Sequence, residues 1–426
     1  MTNNKKITVI SYYSNMTGVC QAEWVDDRIA AFTNMGYSII LISSICSFRS
    51  KNNSIKHIRI PSLTPSGFKF EYEQIQLKRI KFSKLIGIIF KIYYFISKFL
   101  TGLLNFIKLR SGEGRWGWFF SSFITGLIYF RHIKSSEFIY TTGGPPSADI
   151  SGILLAKIFC KKNISELQDP LTGKDIGRNK ISKFAFNHIE KFIICFSTIT
   201  FYCTKNAMLV AKKKYANMEN KIDYVYPGSN KINNLLNVTN EGIKHKINIT
   251  YLGSLYQTRN LDFIMKAINE LAIEDSSILE KIHINLYGNI DADIKNRIID
   301  FCKLYKIITI HGLISREQAI LKAHEADVLL LIQNTDDRSI LTIPFKTYDY
   351  LNVGNHIFGL IYKNDELQNM LNSNGHSSCQ ADDTIAIKNI LLEISTSLNN
   401  LKNGIKESQY TPEFAAIKML QILNLN

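Results

Sequence analysis

The chain of 426 residues is too long for one ordinary domain and suits two of about 200 residues each. Apolar residues make up 46% and charged residues 20%, with 8 prolines and 23 glycines, which excludes disordered, collagen-like and low-complexity chains. Lys and Arg number 51 against 36 Asp and Glu, a net charge of +15 that calls for a polyanionic neighbour: nucleic acid, an anionic membrane surface or a phosphorylated substrate.

The N-terminal stretch MTNNKKITVISYYS is not expected to be a secretory leader, because its apolar run is only Ile7 to Ile10. Ile7 to Tyr12 is expected to form a buried parallel strand, followed by a polar loop with Gly18, a helix from about Gln21 to Met35 and a second strand over Ser38 to Ser43. That β-loop-α-β unit opens a doubly wound sheet. Further strands are expected at Phe138–Tyr140, Asn163–Leu167 and Ile199–Cys203. The pattern restarts with strands at Ile247–Tyr251, Ile282–Tyr287, Ile307–Ile310, Val328–Ile332 and Ile357–Ile361, with helices over Asp262–Ile273, Asp291–Tyr305 and Ser315–Glu325. The turn-rich Tyr226-Pro227-Gly228-Ser229-Asn230 marks the break near residue 230. The domains are thus expected at 1–228, 229–408 and, as a final amphipathic helix, 409–426. Seven cysteines, odd in number and without C-x-x-C spacing, argue for free thiols in a reducing compartment and against a zinc site.

One stretch, about 78–130, fits neither half. From Lys78 to Arg110 there are eight basic residues and no acidic one, and Leu85, Ile88, Ile89, Ile92, Phe95, Phe99, Leu103 and Phe106 supply an apolar face. At 100° per residue, Lys84, Lys91, Lys98, Asn105 and Lys108 fall within one sector of about 120°. Lys91 and Lys98 interrupt the apolar run well short of the ~20 residues that span a bilayer. The alternatives are a pair of core helices with a solvated stripe and an interfacial helix whose lysines contact anionic lipid; the joint basic and apolar bias favours the second.

Common catalytic signatures are missing: no G-x-S-x-G, Walker A or H-E-x-x-H occurs. Asp291-Ala292-Asp293 has a D-x-D shape but sits where Asp291 would cap a helix. The informative pieces lie in the second half. Gly253 to Asn260, containing Ser254 and Arg259, follows a strand and is expected to open a helix, where backbone amides beside an arginine suit phosphate. Pro344-Phe345-Lys346-Thr347-Tyr348-Asp349-Tyr350-Leu351, then Val353-Gly354, is a loop, a helix and a glycine stop. There Lys346 could meet phosphate, and Asp349, one turn in, could accept hydrogen bonds from vicinal hydroxyls. Phosphate donors beside a diol acceptor suit a nucleotide-sugar.

That element resembles the P-x-K-x-x-E-Y-x-x-x-G segment of GT-B glycosyltransferases of the large retaining, family 4-type group that builds bacterial surface polysaccharides. Other segments stand in matching order: Gly143-Gly144-Pro145-Pro146, Glu166 to Pro170, Tyr226-Pro227-Gly228, Leu252-Gly253-Ser254, Tyr287-Gly288 and His311-Gly312-Leu313. The resemblance covers nearly the whole chain. It implies an α/β architecture of two Rossmann-like doubly wound domains facing across a cleft, the N-terminal one on the acceptor side. The donor-binding residues it implies are Gly18, Gly253, Ser254, Arg259, Gly312, Leu313, Lys346, Tyr348 and Asp349. Asp169, after a strand, would contact the acceptor or assist proton transfer. Two departures stand out: Leu341 lies eight positions before Asp349, where the family has an acid, and Ser254 replaces an arginine.

The expected activity is transfer of a sugar from a nucleotide-sugar, a UDP-sugar in first place, to a lipid-linked glycan in O-antigen or capsule synthesis, without metal or cofactor. The expected place is the cytoplasmic face of the cell membrane, with Lys84, Lys91 and Lys98 on anionic lipid. The alternatives are a catalytically silent glycosyltransferase-like partner and a GT-B nucleotide-sugar epimerase. Nucleic-acid binding ranks last, for want of interleaved aromatic and basic residues.

Overall fold

The structure is a computed structural model describing residues 5–16, 19–106, 116–142, 144–172, 180–230 and 246–425. It divides into two compact units: Met1–Pro227 together with Pro412–Asn426, and Gly228–Thr411.

The first unit begins with β1 (Lys6–Ser11), α1 (Cys20–Asn34), β2 (Ser38–Ser44), β3 (Ile55–Ile60), α2 (Pro65–Leu77) and α3 (Lys84–Phe106). It continues with α4 (Trp118–Ile128), α5 (Phe130–Lys134), β4 (Phe138–Thr142), α6 (Ser147–Ile158) and β5 (Lys162–Leu167). The helix α7 (Lys180–Phe196), β6 (Ile199–Tyr202), α8 (Lys205–Lys214) and β7 (Ile222–Tyr224) complete this passage. Its seven strands run in the order β3-β2-β1-β4-β5-β6-β7, all parallel, with Ile7 beside Ile39 on one side and Phe138 on the other. The central strands are buried on both faces, so they are near-continuous apolar runs.

The second unit holds β8 (Ile247–Leu252), α9 (Asp262–Glu274), α10 (Ile278–Lys281), β9 (Ile282–Tyr287), α11 (Ala292–Leu304) and β10 (Ile308–Gly312). Then come α12 (Arg316–Glu325), β11 (Val328–Ile332), α13 (Lys346–Val353), β12 (His356–Ile361), α14 (Asp365–Ser373), β13 (Ser377–Gln380) and α15 (Thr384–Asn403). Its six parallel strands run β10-β9-β8-β11-β12-β13.

The last helix, α16 (Pro412–Leu425), is not a segment apart. Its Ala415, Ala416, Met419 and Leu423 are buried in the core of the first unit with Val25, Ile29 and Phe32 of α1. A charged cluster pins its start. Arg28 and Glu166 form a fully buried ion pair at 3.1 Å, and Arg28 also donates to the Pro412 carbonyl at 2.9 Å. Glu166 accepts further from the Trp24 indole at 3.1 Å and from the Tyr140 hydroxyl.

Three strands escape the sequence reading: β3, β7 and β13. Each is the edge of its sheet. An edge strand has one open flank, so it can be short or carry polar residues, as in IKHIRI, IDY and SSCQ.

The stretch about 78–130 contains α3 and α4. One side of α3 packs on α2: the rings of Phe90 and Tyr93 lie 5.6 and 4.4 Å from Phe68, Tyr94 stacks on Tyr72 at 4.5 Å, and Ser97 is buried. Leu85, Ile88, Ile89, Ile92, Phe95 and Phe99 point the other way and are 50–73% exposed, while Lys84, Lys91 and Lys98 are exposed along one edge of that stripe. The apolar stripe therefore does not serve as core. Among the described residues no helix is long and apolar enough to cross a membrane.

Removing one partner of a buried ion pair leaves an uncompensated charge. Arg28→Ala is therefore expected to lower stability by about 3–5 kcal/mol in urea unfolding followed by tryptophan fluorescence. A loss below about 1 kcal/mol would contradict the role given to this pair.

Candidate functional site

In the second sheet the chain winds from β8 to β9 and β10 on one side, and to β11, β12 and β13 on the other. The switch lies between β8 and β11, and in an open α/β sheet ligands bind at the carboxyl ends of the strands at such a point. The β8–β11 ladder ends at Tyr251 paired with Leu330. Beyond it, side chains of α13 take over the backbone of Leu252: the Tyr350 hydroxyl accepts its N–H at 3.1 Å, and the Lys346 ammonium donates to its carbonyl at 3.2 Å.

Two glycines let the loops close up there. Gly288 has φ +136°, and a Cβ on it would stand 2.1 Å from the Gly253 carbonyl oxygen. Gly253 has φ +146°, and a Cβ would lie 3.0 Å from Lys346 Nζ. Backbone bonds lace the loops together, from Gly253 N to Tyr287 O at 2.8 Å, Leu255 N to Asn289 O at 2.9 Å and Gly288 N to Gly312 O at 2.8 Å.

A cavity of about 230 Å³ opens over this junction, lined among others by Gly253, Ser254, Tyr287, Arg316, Lys346 and Asp349. Lys346 Nζ sits 4.0 Å from the Tyr251 ring centroid. Burial, with the Arg259 charge adding to it, holds the ammonium well below the ordinary lysine pKa. Asp349 Oδ1 accepts from Arg316 at 3.3 Å and from the Ser229 hydroxyl. Burial pushes the Asp349 carboxyl up, while Arg316 and Ser229 hold it back. The lining thus combines two cationic side chains with one carboxylate and close-approaching backbone, an arrangement able to hold an anionic group beside hydroxyls. Among the described residues no cluster of three His, Cys, Asp or Glu side chains could hold a metal ion.

No protein-family model matches the sequence, and no curated protein is similar to it. Solved structures are similar. HepE from Anabaena, in complex with UDP and glucose, is 8% identical, with 99% of this chain and 100% of that one covered at a TM-score of 0.59. A variant of S. aureus TarM, in complex with fondaparinux, alpha-GlcNAc-glycerol and UDP, is 10% identical over 99% and 100% at 0.59. The lipopolysaccharide outer core galactosyltransferase WaaB is 9% identical over 99% and 99% at 0.55. The fold is GT-B. At these identities the likeness bears on the fold alone.

Within the GT-B fold, the structure brings Gly253, Ser254, Leu313, Lys346 and Asp349 together around one cavity. Gly312 ends β10 with φ +82°, and its carbonyl binds Gly288 rather than facing the cavity. Arg259 stands behind the lining. It sits on a tight turn closed by mutual backbone bonds with Tyr256, its guanidinium 5.2 Å from the Tyr256 ring. The helix α9 begins at Asp262, where the sequence placed it, so Gly253–Asn260 is a loop ahead of the helix; Asp262 pairs with Arg297 at 3.2 Å. Tyr348 is fully buried, its ring near Phe345 and Tyr410 at 6.3 and 6.1 Å, and does not line the cavity. Leu341 ends a turn that Asp336 caps, also outside the lining. Asp291 takes the N-cap position of α11 without a side-chain capping bond. Asp169 is exposed just after β5 in the first unit. Gly18 and Gly143 lie outside the described residues.

The sequence reading missed Ser229, Arg316 and Tyr350. Arg316 left one trace: a cation at the first residue of a helix opposes the helix dipole, so it asks for a partner elsewhere. Two buried amides fix the approach to α13, since Gln333 and Asn364 each donate to the carbonyls of both Ser339 and Thr342, at 2.7–3.0 Å.

Because the atom facing Gly288 is backbone, a side chain there cannot be relieved by a rotamer change. Gly288→Ala is expected to cost roughly 1–3 kcal/mol in urea unfolding. Parent-like stability would mean that the β8 and β9 loops do not approach as described.

Proposed function

We propose that the protein is a glycosyltransferase that moves a sugar from a nucleoside-diphosphate sugar, a UDP-sugar in first place, onto a lipid-linked glycan acceptor of a bacterial surface polysaccharide. The cavity at the second sheet's switch point carries this reading, since it sets the Lys346 ammonium and close glycine backbone beside the Asp349 carboxylate. The diphosphate takes the Lys346 end and the ribose hydroxyls take Asp349. During transfer, negative charge grows on the leaving diphosphate, and a preorganised cation stabilises it. Arg259, behind Tyr251, adds to that field. Asp169 is the proposed contact for the acceptor hydroxyl. The proposal includes retention of configuration and independence of metal.

Screening UDP, GDP, CMP, dTDP and ADP by thermal shift, with and without EDTA, tests this directly. UDP is expected to raise the melting temperature regardless of EDTA, because a ligand of the folded state stabilises by mass action. The pH dependence has a definite sign. Free Lys346 has a depressed pKa, and a bound anion raises it, so binding takes up a proton between the two values. Above about pH 7.5, where phosphates are fully ionised, UDP affinity should fall with rising pH, by up to about tenfold per unit. Lys346→Met should abolish that slope. No shift with any nucleotide would overturn the reading.

The partner surface proposed for α3 is the anionic inner face of the cell membrane. Its exposed apolar stripe with lysines along the edge suits a helix lying in the interface. Lys91→Glu with Lys98→Glu is expected to release the protein from phosphatidylglycerol vesicles in sedimentation. Unchanged sedimentation would sink the membrane assignment; both lysines are exposed, so the fold should not suffer.

A second reading, a catalytically silent partner in a glycan-assembly complex, is favoured by Leu341 and Ser254 standing where the resembled family carries an acid and an arginine. UDP binding without turnover of labelled UDP-sugars in lipid extract would select it.

A further inference from the structure

The chain enters the second unit at Gly228 and leaves it at Thr411. These two crossing segments lie against each other. Ser229 N donates to the Tyr410 carbonyl at 3.1 Å, and Gly228, with φ +72°, is so close that a Cβ would stand 2.5 Å from the Thr411 carbonyl carbon. Both segments are also tied to α13. Asn352 donates from Nδ2 to the carbonyl of Ser229 and, at 3.3 Å, to that of Tyr410. One turn earlier on the same face, Asp349 accepts from the Ser229 hydroxyl, and Ser229 is only 3% exposed.

The carboxylate that lines the cavity is therefore shared with the segment by which the chain crosses between units. Its Oδ1 is taken by Ser229 and Arg316, while Oδ2 accepts no hydrogen bond among the described residues. We infer that Ser229 is a positioning residue: it aims the Asp349 carboxylate at the cavity and couples its occupancy to the crossing segments 228–230 and 408–411. A ligand hydroxyl donating to Oδ2 restrains the carboxylate and, through Oδ1, holds Ser229 and the backbone bonded to it. The coupling is reciprocal, so a change in the crossing segments alters ligand affinity by the same factor. The inference rests on the proposal that a nucleoside diphosphate occupies this cavity.

Hydrogen exchange with and without UDP tests it on the full chain. In the parent protein, UDP should slow exchange at 228–230 and 408–411 as well as at 287–289 beside the cavity. Ser229→Ala should bind UDP about tenfold more weakly, as expected for one lost hydrogen bond to a charged group. At saturating UDP that variant should keep the protection at 287–289 and lose it at 408–411, a split that a merely structural serine would not produce. Protection at 287–289 with none at the crossing segments of the parent protein would overturn the coupling alone. Full protection of 408–411 in the variant would do the same. No UDP protection anywhere in the parent would remove the functional reading, and the coupling with it.

Discussion

The ammonium group of Lys346 has no carboxylate partner among the described residues, and the site is arranged around that deficit. Taking a lone cation out of water is costly, by several kcal/mol even after relaxation. Here the ring of Tyr251 and the carbonyl of Leu252 offset part of the cost, while Arg259 adds to it. The carboxylate one turn along α13 does not relieve it, because Asp349 is already held by Arg316 and Ser229. The position of the ammonium in turn dictates its surroundings. Residue 253 must lack a Cβ, Gly288 must let the next loop close in, and Tyr350 must satisfy the N–H of the residue whose carbonyl Lys346 uses. The same deficit is what holds the Lys346 pKa down, and the proposed anionic ligand would relieve it.

How much of this was legible in the sequence depended on how many faces of each element are buried. Val328–Ile332 is buried throughout, and its apolar run could be seen without knowing its neighbours. Ile55–Ile60 breaks its apolar residues with Lys56, His57 and Arg59 at an open flank, and Ser377–Gln380 has almost no apolar content, so neither stands out until its partner strand is in place. The apolar face of the final helix was equally visible, but its attachment was not. That attachment uses the Pro412 carbonyl and Arg28, which are 384 residues apart.

The site shows the same division. Lys346 and Asp349 share one helix start and Gly253 follows a strand, two separate local patterns that could be read singly, and the structure sets all three around one cavity. Ser229 reaches Asp349 across 120 residues and Arg316 across 33, and no local spacing encodes either. Tyr348 illustrates the converse error. It is next to Asp349 in sequence, but on a helix that neighbour projects about 100° away, and its ring is spent on Tyr410 instead of the cavity. Arg259 is intermediate: its charge reaches Lys346 although the turn at Tyr256 keeps it out of the lining.

The helix α3 inverts the usual order of an amphipathic helix. Its aromatic and small residues Phe90, Tyr93, Tyr94 and Ser97 face α2, and that contact is enough to hold it. The more apolar side faces outward. At roughly 25 cal/mol per Å² such a stripe costs several kcal/mol of burial left unclaimed. A helix with only water outside would carry its lysines opposite the core, in the middle of the exposed face. Lys84, Lys91 and Lys98 instead recur every seven residues along the border of the apolar stripe, leaving its centre free of charge. Apolar residues at the centre and cations at the margin match a surface that is hydrocarbon within and anionic at its rim. A bilayer interface has that layering, which is the argument for the membrane contact proposed for α3.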